Sequence, residues 1–148
     1  MAAKERETVR DAFVTLLNTA LVGSGKPCKA VYGYLANRLD TSPAVCVSSA
    51  GAKRERIAKA SWAWEFLFTV EILVPWADKS NWAADDAEDK MDEIETDIAD
   101  VLESNQSATH WDGIDYDGRS ATDITNIGGV NYRRETIPVL ISSAHMGG

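Results

Sequence analysis

The best candidate for a metal site is Asp112-Gly-Ile-Asp115-Tyr-Asp117-Gly118, three carboxylates closing on a glycine turn. Aligning Asp115, Asp117 and Gly118 with the third, fifth and sixth positions of a calcium loop puts Gly113 at the first. Ile124 then stands where the bidentate glutamate belongs, so two required ligands are missing and the aspartates read as turn formers. His110 sits in a loop beside Trp111 and His145 near the C-terminus. Neither is spaced for zinc with a Cys or another His, and neither has an evident nucleophile as partner. Gly23-Ser-Gly25-Lys26 has the composition of a phosphate loop but not its spacing, and Pro27 stands where the hydroxyl belongs. Cys28 and Cys46 lie outside any CxxC or Cys/His spacing and read as reduced thiols of a cytoplasmic protein, with a disulfide between them as the unneeded alternative. Neither G-x-S-x-G nor H-E-x-x-H occurs. The expectation is a protein that is not an enzyme and takes neither a metal nor a cofactor.

Charge is the stronger signal. The 148 residues carry a net charge of −8, and ten of the 23 acids fall between Asp85 and Glu103. An acidic chain gains no counterion-release affinity for nucleic acid, although an acidic surface can line a channel that DNA passes without sticking. Lys53, Arg54, Arg56 and Lys59, with Glu55 among them, form an oppositely charged segment. It reads either as a solvated hairpin loop or as an interaction surface. Asp92, Glu93, Glu95, Asp97 and Asp100 form the outer face of the acidic segment, with Lys90 as its only base. Carboxylates on the solvent side of a helix cannot build the dry cavity of a two-metal hydrolase. Complementary patches on different faces of one molecule instead permit head-to-tail contacts, which close into a ring if the rotation allows.

The element that must position these patches is Ser61 to Val74. Every second residue from Trp62 is large and apolar (Trp62, Trp64, Phe66, Phe68, Val70, Ile72, Val74), while the other register holds Glu65 and Glu71. That alternation predicts a β-strand with the aromatic face buried and the mixed face outward. Fourteen residues at ~3.3 Å each reach ~46 Å, against a radius of gyration of ~15 Å for a chain of this size. The strand must cross the domain, bend, or protrude as an arm. Burying its aromatic face is worth ~2 kcal/mol per side chain, and a one-residue slip would bury both glutamates instead. It is expected at the centre of the sheet.

Around it, Lys4 to Val22 has the stripe of an amphipathic helix, ended by Gly23-Ser-Gly25 and Pro27. Ala30 to Leu35 and Ala44 to Ser48 predict short strands, with a polar loop from Asn37 to Pro43; Ser49 to Lys59 predicts a loop or a short helical turn. Trp76 and Trp82 flank a polar loop, with Trp76 folding back on the core. Ala84 to Glu103 predicts a second amphipathic helix, with Ala87, Met91, Ile94, Ile98, Val101 and Leu102 inward and acids at its positive end. Trp111 to Tyr116 and Ser120 to Ile127 predict a hairpin around Asp117-Gly118. Val130 to Ser142 predicts a last strand, in which Pro138 implies an edge or a bulge, followed by a disordered tail from 143 to 148. The order predicts one α+β domain over residues 1–148, a mostly antiparallel sheet with two helices packed on one face. No run approaches the ~18 apolar residues of a membrane span, and the charged N-terminal helix does not read as a signal peptide.

The Pro43-Ala-Val-Cys-Val47 strand, the basic segment before a long aromatic strand, the acidic helix and the closing Tyr132-Arg-Arg-Glu-Thr-Ile-Pro-Val139 strand together resemble a known family. They are similar, from about Val9 to Ile141, to the tail terminator (tail completion) proteins of long non-contractile phage tails, the lambda type. The resemblance implies a small α+β subunit, often monomeric in isolation, that forms a hexameric ring on the last ring of the tail tube. Such a ring stops tube polymerisation and offers the surface to which the head connector attaches, with DNA passing an acidic lumen. The implied location is the head-proximal end of the virion tail, after assembly in the host cytoplasm. The subunit-interface candidates are Lys53, Arg54, Arg56 and Lys59, Glu65 and Glu71 on the strand's mixed face, and Asp92, Glu93 and Asp97 on the acidic helix; plain solvent exposure is the competing reading of the two glutamates. Two alternatives stand beside this reading. One is a head-closure or neck protein, and the other a small cytoplasmic module binding a ligand near Trp76, Trp82 and Trp111.

Overall fold

The computed structural model describes residues 5–59, 61–76 and 84–146. The loop containing Trp82 and the last two residues lie outside them, as do the side chains of Asp85 and His145. The elements in chain order are α1 (Arg6–Leu21), β1 (Ala30–Tyr32), β2 (Ala44–Ala58), β3 (Ser61–Pro75), α2 (Ala84–Ser104), β4 (Gly113–Tyr116), β5 (Ala121–Ile127) and β6 (Val130–Met146).

Strand β3 is central, antiparallel to β2 on one side and to β6 on the other over its whole length. β1 runs parallel to the first residues of β2, and β4 and β5 pair with the outer side of β6. Both helices pack on one face of this mixed, mostly antiparallel sheet, which is an α+β fold. The pairing of apolar periods explains the packing. Val9, Phe13, Leu17 and Leu21 form an i, i+4 stripe on α1, and Ala87, Met91, Ile94 and Ile98 form a stripe of alternating four- and three-residue steps on α2. Both stripes meet Trp64, Phe66, Phe68, Val70, Ile72 and Val74 of β3, each of them buried. Trp64 stacks on Phe66 with ring centroids 4.4 Å apart, and Phe13 meets Phe68 at 6.3 Å. Trp76 folds back on this cluster, as its sequence context predicts.

The second face carries a smaller cluster. Cys46, Leu73 and Tyr132 are buried there beneath Ala36 and Leu39 of the segment after β1. Leu73 belongs to the polar register of β3, so its burial depends on that segment folding over it.

Five features depart from the sequence reading. First, β1 stops at Tyr32, leaving Tyr34 and Leu35 exposed in the segment beyond. Second, Ser49 to Ala58 is not a loop but the outer half of β2, paired to β3 as far as Ala58↔Ser61. Its alanines, glycine, lysine and arginines have little strand propensity of their own. The apolar β3 ladder imposes the conformation, with register shifts at Ser49/Gly51 and Arg56/Ala58 absorbing the misfit. Third, Ser143 to Met146 is not a loose tail, because it continues β6 beside Trp64 to Ser61. Fourth, β4 and β5 do not form a hairpin with each other; they follow one another along the same side of β6. Fifth, Trp62 is 39% exposed instead of buried, because it lies on the part of β3 beyond the helices' reach.

The β4–β5 break also explains Pro138, which lies in an interior strand instead of on an edge. Val139 pairs with Tyr116 and Thr136 with Ala121, so Pro138 faces the gap between the two partners. Its carbonyl accepts from Asp117 N–H at 2.9 Å, and antiparallel geometry turns the missing N–H to that same side, where no ladder bond is lost.

Candidate interaction surfaces

The carboxylates around Asp115 do not converge. Asp112 accepts from the Ser143 hydroxyl at 2.8 Å, Asp115 from the N–H of Tyr116 at 2.9 Å, and Asp117 is exposed. Among the described residues no three Asp, Glu, His or Cys side chains gather as a metal ion would require. His110 is half-buried with an Nδ1 that makes no hydrogen bond, so it lacks the orienting partner of a catalytic imidazole. Cys28 and Cys46 are free, buried and in different clusters.

The long strands form an arm instead. Beyond Gly51, every residue of β2 is exposed, and the far ends of β2, β3 and β6 continue as a narrow three-stranded ribbon. All four basic candidates lie on it. On the helix side, the Arg54 guanidinium stands 5.0 Å from the Phe66 ring centroid and that of Arg56 stands 4.8 Å from Trp62. These cation–π contacts cover aromatic surface that the helices do not reach while leaving the cations at the surface. Lys53 pairs loosely with Glu55 at 3.8 Å and has Glu65 as its cross-strand partner. Lys59 is exposed in the turn. The arm also presents Ile57, 53% exposed, at the register shift between Arg56 and Ala58.

Glu65 and Glu71 differ in their surroundings. Glu65 is half-buried at the base of the arm, opposite Lys53. Glu71 is held 3.5 Å from Arg134, whose guanidinium also grips Asp123 at 2.6 Å. Hydrogen bonding from Arg134 keeps the Asp123 carboxyl below the usual carboxylate range. Glu71 is therefore the inner end of an intramolecular charge network and is not plainly solvated.

The acidic helix is less uniform than its sequence suggests. Glu93 takes Lys90 at 2.9 Å, and Glu88 takes Arg133 of β6 at 2.6 Å, a second base that the helix pattern alone does not reveal. Glu95 turns toward the sheet, where it accepts from the Tyr116 hydroxyl at 3.5 Å. Burial, with Glu95 beside it, pushes the Tyr116 phenol up to about 12. Asp92 and Asp100 are exposed, and Asp97 is half-exposed at the edge of a groove between the helices. The groove is open to solvent, measures about 340 Å³ and is lined by the apolar Leu16, Ala20 and Val101 together with Asp97 and Asp100. Partial burial, reinforced by Glu93 and Asp100, raises the Asp97 carboxyl above the usual range. Among the described residues no cation lies within salt-bridge distance of Asp97 or Asp100.

Sequence reasoning missed Ile57, Trp62 and the groove. An isoleucine inside a run of bases was a legible sign; the groove was not, because it depends on how two helices cross.

Beneath the N-terminal half of α2 lies Glu135, a carboxylate only 8% exposed. Burial raises it above the usual carboxylate range. The Ser120 hydroxyl, donating at 2.6 Å, works against the rise; Glu95 and Asp92 add to it, and Arg133 opposes it. An acid raised in the fold binds its proton more readily folded than unfolded. Its ionised form thus costs stability at neutral pH, and the cost shrinks as pH falls through the folded value and is gone below the unfolded one. Glu135→Gln keeps an acceptor for Ser120 and removes the charge. The thermal midpoint is expected to rise at neutral pH, with the gain shrinking to nothing by about pH 4, where the unfolded carboxyl also protonates. Calorimetric scans across that range decide it: a gain independent of pH would show that the buried charge is not its source.

No protein-family model and no curated protein matches this chain.

Proposed function

We propose that this protein is a ring-forming tail terminator of a long, non-contractile phage tail. It caps the tail tube, stops its polymerisation and offers the surface to which the head connector attaches. The observation that carries the reading is the pairing of a cationic, aromatic arm with an acidic helical face on a single small α+β subunit. Unlike surfaces that complement each other associate head to tail, and head-to-tail contacts either close into rings or run on as filaments. A terminator must close, since its task is to end a polymer. The net charge of −8 suits a lumen through which DNA slides without being held. Nothing in this role requires a catalytic centre.

The test is negative-stain imaging of particles assembled without this protein. Over-long tubes without heads are expected. Tails of normal length that fail to join heads would transfer the protein to the head-closure side of the joint, and intact virions would overturn both readings. Calorimetric titration with nucleotides and divalent cations tests the small-ligand alternative, for which a saturable heat would be required.

A further inference from the structure

We infer that the tip of the arm in one copy seats in the groove between α1 and α2 of a second copy, placing Ile57 on the apolar lining and Arg56 against Asp97 and Asp100. The inference deepens the assembly reading above and rests on it for the expectation that copies of the chain meet. Three observations choose this occupant. The arm mixes exposed apolar and cationic side chains: Ile57 and Trp62 are exposed on the same ribbon as Arg54, Arg56 and Lys59, with Arg56 stacked over Trp62. The groove has the opposite pattern, an apolar lining of Leu16, Ala20 and Val101 together with two carboxylates. Those carboxylates have no cation within salt-bridge distance among the described residues, although Glu88 and Glu93 on the same helix do.

The chemistry on each side is specific. A guanidinium stacked on an aromatic ring keeps its N–H edge for carboxylates, so Arg56 can remain over Trp62 while it bonds across the contact. Carboxylates lining the groove repel phosphate, so neither nucleic acid nor a phospholipid headgroup suits this site. Groove and arm are different surfaces of the same chain. Each copy therefore donates one and receives the other, which is the heterologous contact a ring needs.

Cysteine pairing tests the placement. Ile57→Cys protein is mixed with Ala20→Cys protein under mild oxidation; the native thiols are buried and do not compete. A disulfide-linked heterodimer is expected at about ten times the yield from an Ile57→Cys and Asp40→Cys control mixture, falling in high salt as screened ion pairs do. A chain carrying both changes should give a ladder of linked species. Charge exchange guards against misfolding: Arg56→Glu and Asp97→Arg should each lose the cross-link to the unchanged partner surface and regain it when combined. A heterodimer yield no higher than the control, or no rescue by charge exchange, overturns the docking. Failure of the cross-link while tubes lacking the protein still overgrow would sink the docking alone. A positive cross-link with intact virions in the deletion would sink the terminator role and leave the contact standing.

Discussion

Phe66→Ala is expected to cost about 3–5 kcal/mol, a large share of the ~5–15 kcal/mol that holds a domain of this kind together. The side chain is fully buried, stacks on Trp64 at 4.4 Å, meets Phe68 edge-on at 6.4 Å and lies beneath the Arg54 guanidinium. Removing it opens a cavity that the two neighbouring rings cannot both close, because each is fixed by its own strand position. It also strips Arg54 of the surface it covers. Trp62→Ala, four residues away on the same face, is expected to cost under about 1 kcal/mol, since that ring is 39% exposed. Urea denaturation measures both, as a shift in midpoint at unchanged slope. The thermal midpoint of the Phe66 variant should fall by roughly 10 °C. Equal losses at the two positions would mean that the arm and the body share one core, contrary to the packing described above.

Thiol labelling is the second large effect. Cys28 is 2% exposed and Cys46 is 1% exposed, in clusters on opposite faces of the sheet. Burial pushes the Cys28 thiol up to about 12, and burial likewise raises Cys46, partly offset by a hydrogen bond with the Ala36 backbone. The reactive thiolate is therefore scarce as well as shielded. At pH 8, labelling of native protein by a disulfide reagent should be slower than labelling in denaturant by about a thousandfold or more, because it must wait for opening of the fold. The two sites also separate two kinds of opening. Cys46 lies under the segment carrying Ala36 and Leu39, so local detachment of that segment exposes it without disturbing the helices. Cys46 is expected to label first, and Cys28 at the rate of global unfolding. Fast modification of Cys28 in the native protein would contradict the helix packing over it.

The two measurements also bear on assembly. An arm that contributes little to stability is free to be shaped by its contacts, which is why its surface mixes Ile57 and Trp62 with cations. A body that holds together without the arm can present the groove before any partner arrives.

The body was written plainly in the chain. Alternating large apolar residues from Trp64 to Val74 leave one register that buries them, and the apolar stripes of the two helices can satisfy that face only by packing on it. The glycines after α1 (φ +138° at Gly23) and between β5 and β6 (φ +60° at Gly128) marked turns for a local reason that no distant contact alters. Local pattern failed where a residue's state is imposed by its neighbours across the sheet. Nothing in Lys53-Arg-Glu-Arg56 asks for a strand; pairing with Glu65 to Trp62 makes it one, and turns a solvated loop into a cationic arm. Pro138 could sit inside the sheet because β4 ends and β5 begins at that point, and no window around Pro138 contains that information. Trp62 follows the aromatic period faithfully and is still exposed, since period reports which face a side chain is on, whereas burial also requires something to lie over it. The same holds for the groove beside Asp97. Its residues come from α1 and from α2 with the turn that follows it, and they became one surface only when the shared sheet brought the two helices side by side.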